Sequence, residues 1–283
     1  MLFLSLYSVS CPFFWDPSPI AFTVPLLDHP IRWYSLFFAT GFLGAYLIIS
    51  KLVYNYLRGY DKKIVHRFLD RLSWYLFIGM LIGARLGHVF FYEWSYFKTH
   101  PSKILAVWEG GLASHGGAIG LLVALLLFWK IHKKDITDLS LKRLLDFLCI
   151  GAAFAAGCIR IGNFFNQEIL GTYTTACTAI WFGHPAEIGA LMPCHPVQLY
   201  EAVFYFFSCI FLLFLEKSSK TLKEGFSSGL FFVAIFSFRF IIEWVKLPQA
   251  FSDSTGLHMG QILSIPFILF GSYLLWTSSF KQN

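Results

Sequence analysis

The sequence predicts an all-α fold, a polytopic bundle of transmembrane helices, on three observations. Apolar residue types make up 57% of the 283 residues and charged types only 13%, against about 25% charged in soluble chains. Apolar runs of about 20 residues recur along the chain, the length a helix needs to cross a hydrocarbon core. The runs are continuous, without the two-residue alternation of a membrane β-strand. The same composition excludes a disordered chain, a coiled coil and a nucleic-acid module, because the formal charge of +6 is spread thinly over short segments.

In lipid every backbone N–H and C=O must find a partner within its own segment, so the spans are read as helices. They run approximately over 33–53, 74–92, 112–129, 145–163, 197–215, 229–244 and 261–278. Basic residues fix the expected orientation. The connections on one side carry Lys51, Arg58, Lys62, Lys63, Arg67 and Arg71, then Lys130, Lys133, Lys134, Lys142 and Arg143, then Lys217, Lys220 and Lys223, with Lys281 in the tail. The other side holds only Arg32, Lys98, Lys103 and Lys246. The positive-inside rule then puts the N-terminus outside and the C-terminus in the cytoplasm. Residues 1–32 read as an extracytoplasmic arm, proline-punctuated and lacking the basic start of a cleaved signal peptide. Residues 33–278 read as the transmembrane domain, with an external segment at 164–196, and 279–283 as a cytoplasmic tail. None of the six cysteines forms a C-x-x-C pair, so zinc and thioredoxin chemistry are not indicated. Cys177 and Cys194 share the external segment, either as free thiols or oxidised to each other.

Arg85, Arg160 and Arg239 fall inside predicted spans. Placing a charge there is costly, so each is a functional candidate. Arg160, Asn163 and Gln167 recur at i, i+3 and i+7 and share a face if the helix continues, with Asn166 and Glu168 where it leaves the membrane. A planar guanidinium beside carboxamides suits a phosphate headgroup; the plainer reading is an Arg160–Glu168 structural pair. Arg239 and Glu243 are one turn apart, either an ion pair or a second anion-binding group with its orienting carboxylate. Arg85 lies among Gly79, Gly83 and Gly87, a spacing that allows close helix packing, and its side chain could snorkel outward. His115 opens Ser114-His-Gly-Gly, where a neutral imidazole can accept a proton near pH 7 or simply pack. His195, Gln198 and Glu201 form a polar stripe on an apolar span, and Tyr34 follows Trp33 in an expected aromatic belt. There is no G-x-S-x-G, H-E-x-x-H or P-loop. A nucleophile, if one is needed, therefore arrives with a substrate. No cluster is expected to hold a metal, and no cofactor is expected.

Five ordered motifs carry a family resemblance: Gly110-Gly-Leu-Ala-Ser-His-Gly-Gly117, Arg160-Ile-Gly-Asn-Phe-Phe-Asn-Gln-Glu-Ile-Leu-Gly171, His195-Pro-Val-Gln-Leu-Tyr-Glu201, Phe238-Arg-Phe-Ile-Ile-Glu243 and Gly260-Gln-Ile-Leu-Ser-Ile-Pro266. Together they resemble the bacterial phosphatidylglycerol–prolipoprotein diacylglyceryl transferases. The resemblance implies an enzyme of the bacterial cytoplasmic (inner) membrane. It would move the diacylglyceryl group of phosphatidylglycerol onto the lipobox cysteine of a prolipoprotein signal peptide, forming a thioether and releasing glycerol 1-phosphate. It implies His115, Arg239, Tyr34 and Asn163 as catalytic residues, and Arg160, Asn166, Glu168, Gly171 and Glu243 as phosphatidylglycerol-binding residues. The chain departs from the pattern in its external segment 164–196, shorter than in some members, in its longer N-terminal arm, and at two residues. Arg32 stands where the family often has histidine before Trp-Tyr, and Ile235 replaces a tyrosine four residues before Arg239. The competing reading of buried arginines is a transporter or flippase for an anionic lipid or solute. Such a protein would show inverted repeats, and none is visible.

Overall fold

The computed structural model describes residues 12–25, 28–186, 192–218, 222–247 and 258–279. Cys11 and the tail from 280 onward lie outside them. Among the described residues, seven helices are long and apolar enough to cross a membrane. They are α1 (Trp33–Tyr56), α2 (Lys62–Phe91), α4 (Ser114–His132), α5 (Leu141–Phe165), α6 (Val197–Ser218), α7 (Phe226–Ile242) and α8 (Met259–Ser279); a one-turn α3 (Trp94–Phe97) lies between α2 and α4. The protein is thus a multi-pass membrane protein, with the seven spans the sequence predicts.

One boundary moves by three turns. The sequence reading leaves 51–73 as a loop, but α2 already begins at Lys62, with the Asp61 side chain accepting the Lys63 N–H at its start (2.9 Å). Hydropathy alone misses this stretch because it is amphipathic. Val65, Phe68, Leu69 and Leu72 are buried on one face, while Lys62, Lys63, Arg67 and Arg71 stay exposed on the other. Arg71 pairs with Asp135 at 3.3 Å.

Contacts divide the chain into two compact units, residues 1–49 with 145–283, and residues 50–144. Helices α2 and α4 are the frame of the second unit. Gly79 and Gly83 of α2 meet Gly120 and Gly116 of α4 backbone to backbone: a Cβ on Gly83 would fall on the carbonyl of Gly116, and one on Gly120 on that of Gly79. The glycine spacing read from the sequence is therefore a helix–helix seam. Gly83→Leu is expected to force the helices apart at a cost of about 3 kcal/mol, seen as a lower unfolding temperature in detergent; an unchanged value would contradict the seam.

In the first unit α7 packs along α8 and against α6. Gly229 and Gly271 allow close approach of α7 and α8, and the phenyl rings of Phe236 and Phe267 stack at 4.3 Å. The N-cap of α7 is supplied from α5: Asp146 accepts the N–H groups of Gly225 and Ser228, both at 2.8 Å. Short strands supplement the helices. β1 (Phe13–Trp15) runs parallel to β4 (Ile180–Phe182), and β2 (Ile20–Val24) forms an antiparallel pair with β3 (His29–Arg32). Between α5 and α6, Phe164, Leu170, Ile180, Phe182 and Cys194 bury one another, with Trp15 and Leu247 packed on them. The segment read as external thus has a small core of its own. Cys177 is exposed, Cys194 is buried, and the two are not joined in a disulfide.

The arm is tied to this core by polar contacts. Asp16 Oδ1 accepts from Gln167 Nε2 (3.0 Å) and lies 2.6 Å from His184 Nδ1. The hydrogen bond with His184, and then that with Gln167, hold the Asp16 carboxyl below its ordinary value of 3.8. A carboxyl depressed by folding contributes to stability above the unfolded value, and the contribution is lost as pH falls through the folded one. Acid below that point should therefore loosen residues 12–32, and Asp16→Asn should do so already at neutral pH. Limited proteolysis of the arm reads both effects; equal resistance of variant and wild type at neutral pH would contradict the tie.

Candidate active site

Two of the residues singled out, Arg160 of α5 and Arg239 of α7, converge on one residue of α6, Glu201. Its side chain is fully buried. Arg160 Nε stands 2.9 Å from Oε2, and Lys246 Nζ stands 3.0 Å from Oε1. Arg239 Nη1 lies 4.0 Å from Oε1, and the Tyr205 hydroxyl donates to the same oxygen at 3.2 Å. Three cations therefore share one carboxylate. The Arg160 contact is an ion pair without an aligned hydrogen bond, which leaves Oε2 unsaturated as an acceptor. A carboxylate at 201 follows from the polar stripe read in the sequence. Its role as common counter-ion does not, because its partners come from α5, α7 and Lys246, which follows the short 3₁₀ turn after α7.

The expected Arg160–Glu168 pair is replaced by a relay. Arg160 Nη1 donates to Asn163 Oδ1 (3.0 Å), and Asn163 Nδ2 donates to Glu168 Oε1 (2.8 Å). Asn166 Nδ2 reaches the same carboxylate oxygen at 3.3 Å, while the Asn166 Oδ1 is buried without a partner. The expectation that Gln167 continues the Arg160–Asn163 face is corrected. α5 ends at Phe165, and Gln167 and Ile169 adopt left-handed backbone, with φ of 53° and 59°. This turns the Gln167 carboxamide toward Asp16 and the main chain of His184. The turn itself is held from α6, where the fully buried Gln198 donates to the Glu168 carbonyl at 2.7 Å.

Gly171 lies where three segments cross. Its N–H donates to the His195 carbonyl (3.0 Å), and it bridges to Lys246 on the other side. A Cβ there would lie 3.0 Å from the Val245 carbonyl and closer still to His195. This crossing holds the 166–171 turn against Lys246, the third cation, which the sequence reading passed over as a loop lysine. Glu243, expected to pair with Arg239, lies instead 3.6 Å from Lys246. Its carboxylate fills the space where Gly260 lacks a side chain. Tyr34, at the start of α1, packs on Gly162 of α5 and lies within electrostatic reach of Glu168 and Arg160. Ile235 is buried, so the phenol at this cluster comes from Tyr205.

The two arginines differ in what they have left to give. Arg160 is committed to Glu201 and Asn163, and its side chain is 12% exposed. Arg239 keeps one long contact and is 35% exposed.

His115 is the second residue of α4, in the other unit, and is exposed. Arg85 does not snorkel. It is 5% exposed and is bound by main-chain carbonyls of its own unit.

Fold and site define a multi-pass membrane protein whose helices bring two guanidinium groups onto a shared, buried carboxylate. The family model for prolipoprotein diacylglyceryl transferase matches residues 19–277. A phosphatidylglycerol–prolipoprotein diacylglyceryl transferase of Tolumonas auensis is 41% identical over 94% of this chain and 97% of its own length. Those of Protochlamydia amoebophila and Chlamydia pneumoniae are 36% and 37% identical, each over 95% of this chain and 96% of their own length. The chain belongs to the prolipoprotein diacylglyceryl transferase family.

Proposed function

We infer that this protein transfers the diacylglyceryl group of phosphatidylglycerol to the lipobox cysteine of prolipoproteins, releasing glycerol 1-phosphate. The observation that carries this reading is the convergence of Arg160 and Arg239 on buried Glu201, in a chain of this family. The cysteine thiolate attacks a glyceryl carbon. The carbon–oxygen bond to phosphate breaks, a carbon–sulfur bond forms, and the electron pair leaves on the phosphate oxygen. The leaving phosphate gains negative charge, and fixed cations stabilise it most where water is scarce. In this reading Arg239 meets the phosphate directly, and Arg160 supports it from below. Asn163, Asn166 and Glu168 set the geometry of the headgroup pocket, with Tyr34 at its edge. Gly171 and Glu243 hold the crossing and Lys246 in place. A phosphate monoester leaves readily, so no general acid is required.

A thiol of ordinary pKa, about 8.5, is only a few per cent ionised at pH 7, so a base accelerates the attack. His115 is assigned that task. His115→Asn should lower turnover by about 10² to 10⁴-fold, the usual contribution of a general base. A rise in assay pH, which ionises more of the thiol, should recover part of the rate. A variant with the rate of the wild type, or a loss without recovery at high pH, would argue for a packing role.

The distribution of basic residues supports an N-terminus and a 164–196 segment outside the cytoplasmic membrane, with residues 1–32 read as an arm and 33–278 as the catalytic domain. Purified protein incubated with radiolabelled phosphatidylglycerol and a lipobox peptide tests the whole reading. Transfer of label to the peptide cysteine together with glycerol 1-phosphate release is expected; lipid movement without bond cleavage would mark a flippase instead.

A further inference from the structure

Arg85, buried in the unit formed by residues 50–144, takes no part in the cluster around Glu201 as described. A guanidinium has five N–H donors, and here all five are used on main-chain carbonyls of one short segment. Nε donates to Ile104 (2.9 Å), Nη1 to Gly110 and Gly111 (2.6 and 3.1 Å), and Nη2 to Lys103 and Ala106 (2.6 and 3.2 Å). The Phe97 ring covers the cation, 5.0 Å from ring centre to Cζ. The group is therefore saturated and has no donor left for a substrate.

What it holds is a loop that could not hold itself. Residues 101–109 make two short 3₁₀ turns, and Gly110 and Gly111 both have positive φ, 92° and 70°. A Cβ on Gly111 would sit 2.8 Å from Arg85 Nη1 and closer to His88. The Lys103 carbonyl also accepts the Ala106 N–H (3.1 Å), and an arginine that gathers all five carbonyls of such an irregular loop fixes its path. The loop leads directly into α4. The Ala113 N–H donates to the Ala84 carbonyl beside Arg85 (2.9 Å), and Gly116 lies against Gly83 and Gly87. His115 stands between these two anchors.

We propose that Arg85 is a positioning residue of the transfer reaction: by gathering five carbonyls of residues 103–111 it fixes where α4 begins and so where His115 stands. The proposal rests on His115 being the base. A misplacement of about 1 Å in a reacting group costs about 100-fold in rate, and that loss belongs to turnover rather than to lipid binding.

The test uses the full chain in nanodiscs, with phosphatidylglycerol and a lipobox peptide, well below the unfolding temperature. Arg85→Ala should lower kcat about 100-fold while KM for the lipid stays within about threefold, and added methylguanidinium should return part of the rate. Arg85→Lys should remain impaired, because three donors on a point charge cannot meet five carbonyls. A kcat near that of the wild type in folded Arg85→Lys, or a loss carried by KM, overturns the proposal. Hydrogen exchange on the wild type needs no variant: amides of 103–113 should exchange as slowly as the adjoining turns of α2 and α4, and fast exchange there also overturns it. His115→Asn, assayed alongside, separates the two ideas. If it is fully active, the base assignment falls, and the Arg85 proposal with it. If it is inactive while the Arg85 variants keep their kcat, only the Arg85 proposal falls.

Discussion

Arg239→Ala is expected to reduce thioether formation by about 10³-fold, the upper range for removing one preorganised donor at a developing oxyanion, or about 4 kcal/mol of transition-state stabilisation. The side chain is one-third exposed and its contact to Glu201 is 4.0 Å long, so little of the fold depends on it. The unfolding temperature should therefore stay close to that of the wild type. Arg239→Lys should recover only a small part of the rate, since a point charge lacks the fork that matches two phosphate oxygens. Arg160→Ala should behave differently. It removes the partner of Glu201 Oε2 and the donor to Asn163, so stability and turnover should fall together. Thermal unfolding in detergent, paired with the transfer assay, distinguishes the two. Turnover near the wild-type rate in Arg239→Ala would refute the open-cation role.

The seven spans were legible because each is a long apolar run, and continuous hydrophobicity is a local property of the chain. The start of α2 was not, because its first three turns are amphipathic and carry four cations on the exposed face. Arg160, Asn163, Asn166, Glu168, Arg239 and Glu243 were legible as polar residues at membrane depth or at its edge. Their partners were not. Spacing along a helix suggests Arg239 with Glu243, yet Glu243 lies near Lys246, and Arg239 faces α6. The left-handed turn at Gln167 and Ile169 has no glycine to announce it; Gln198 on α6 and Asp16 in the arm hold it. Arg85 was visible as a buried charge, but its task required knowing where the carbonyls of 103–111 lie.

Glu201→Gln is expected to damage both stability and transfer. Removing one member of a buried ion pair costs about 3–5 kcal/mol, because the other member stays buried without its counter-charge. Here the amide leaves Arg160 and Lys246, 12% and 5% exposed, facing a neutral group. Lys246 still has Glu243 at 3.6 Å, whereas the relay from Arg160 through Asn163 ends on Glu168 with no direct charge contact. The guanidinium of Arg160 should therefore be the group that moves, and Arg239 loses its anchor too. Adding Arg160→Met to Glu201→Gln removes the stranded charge. The double variant should regain part of the lost stability, a coupling typical of residues in one network, but it should not regain transfer, because Arg160 is gone and Arg239 is not restored to its place. Unfolding temperatures and turnover of the two single variants and the double variant complete the cycle. Wild-type values of both in Glu201→Gln would mean that the carboxylate is not the hub the geometry makes it.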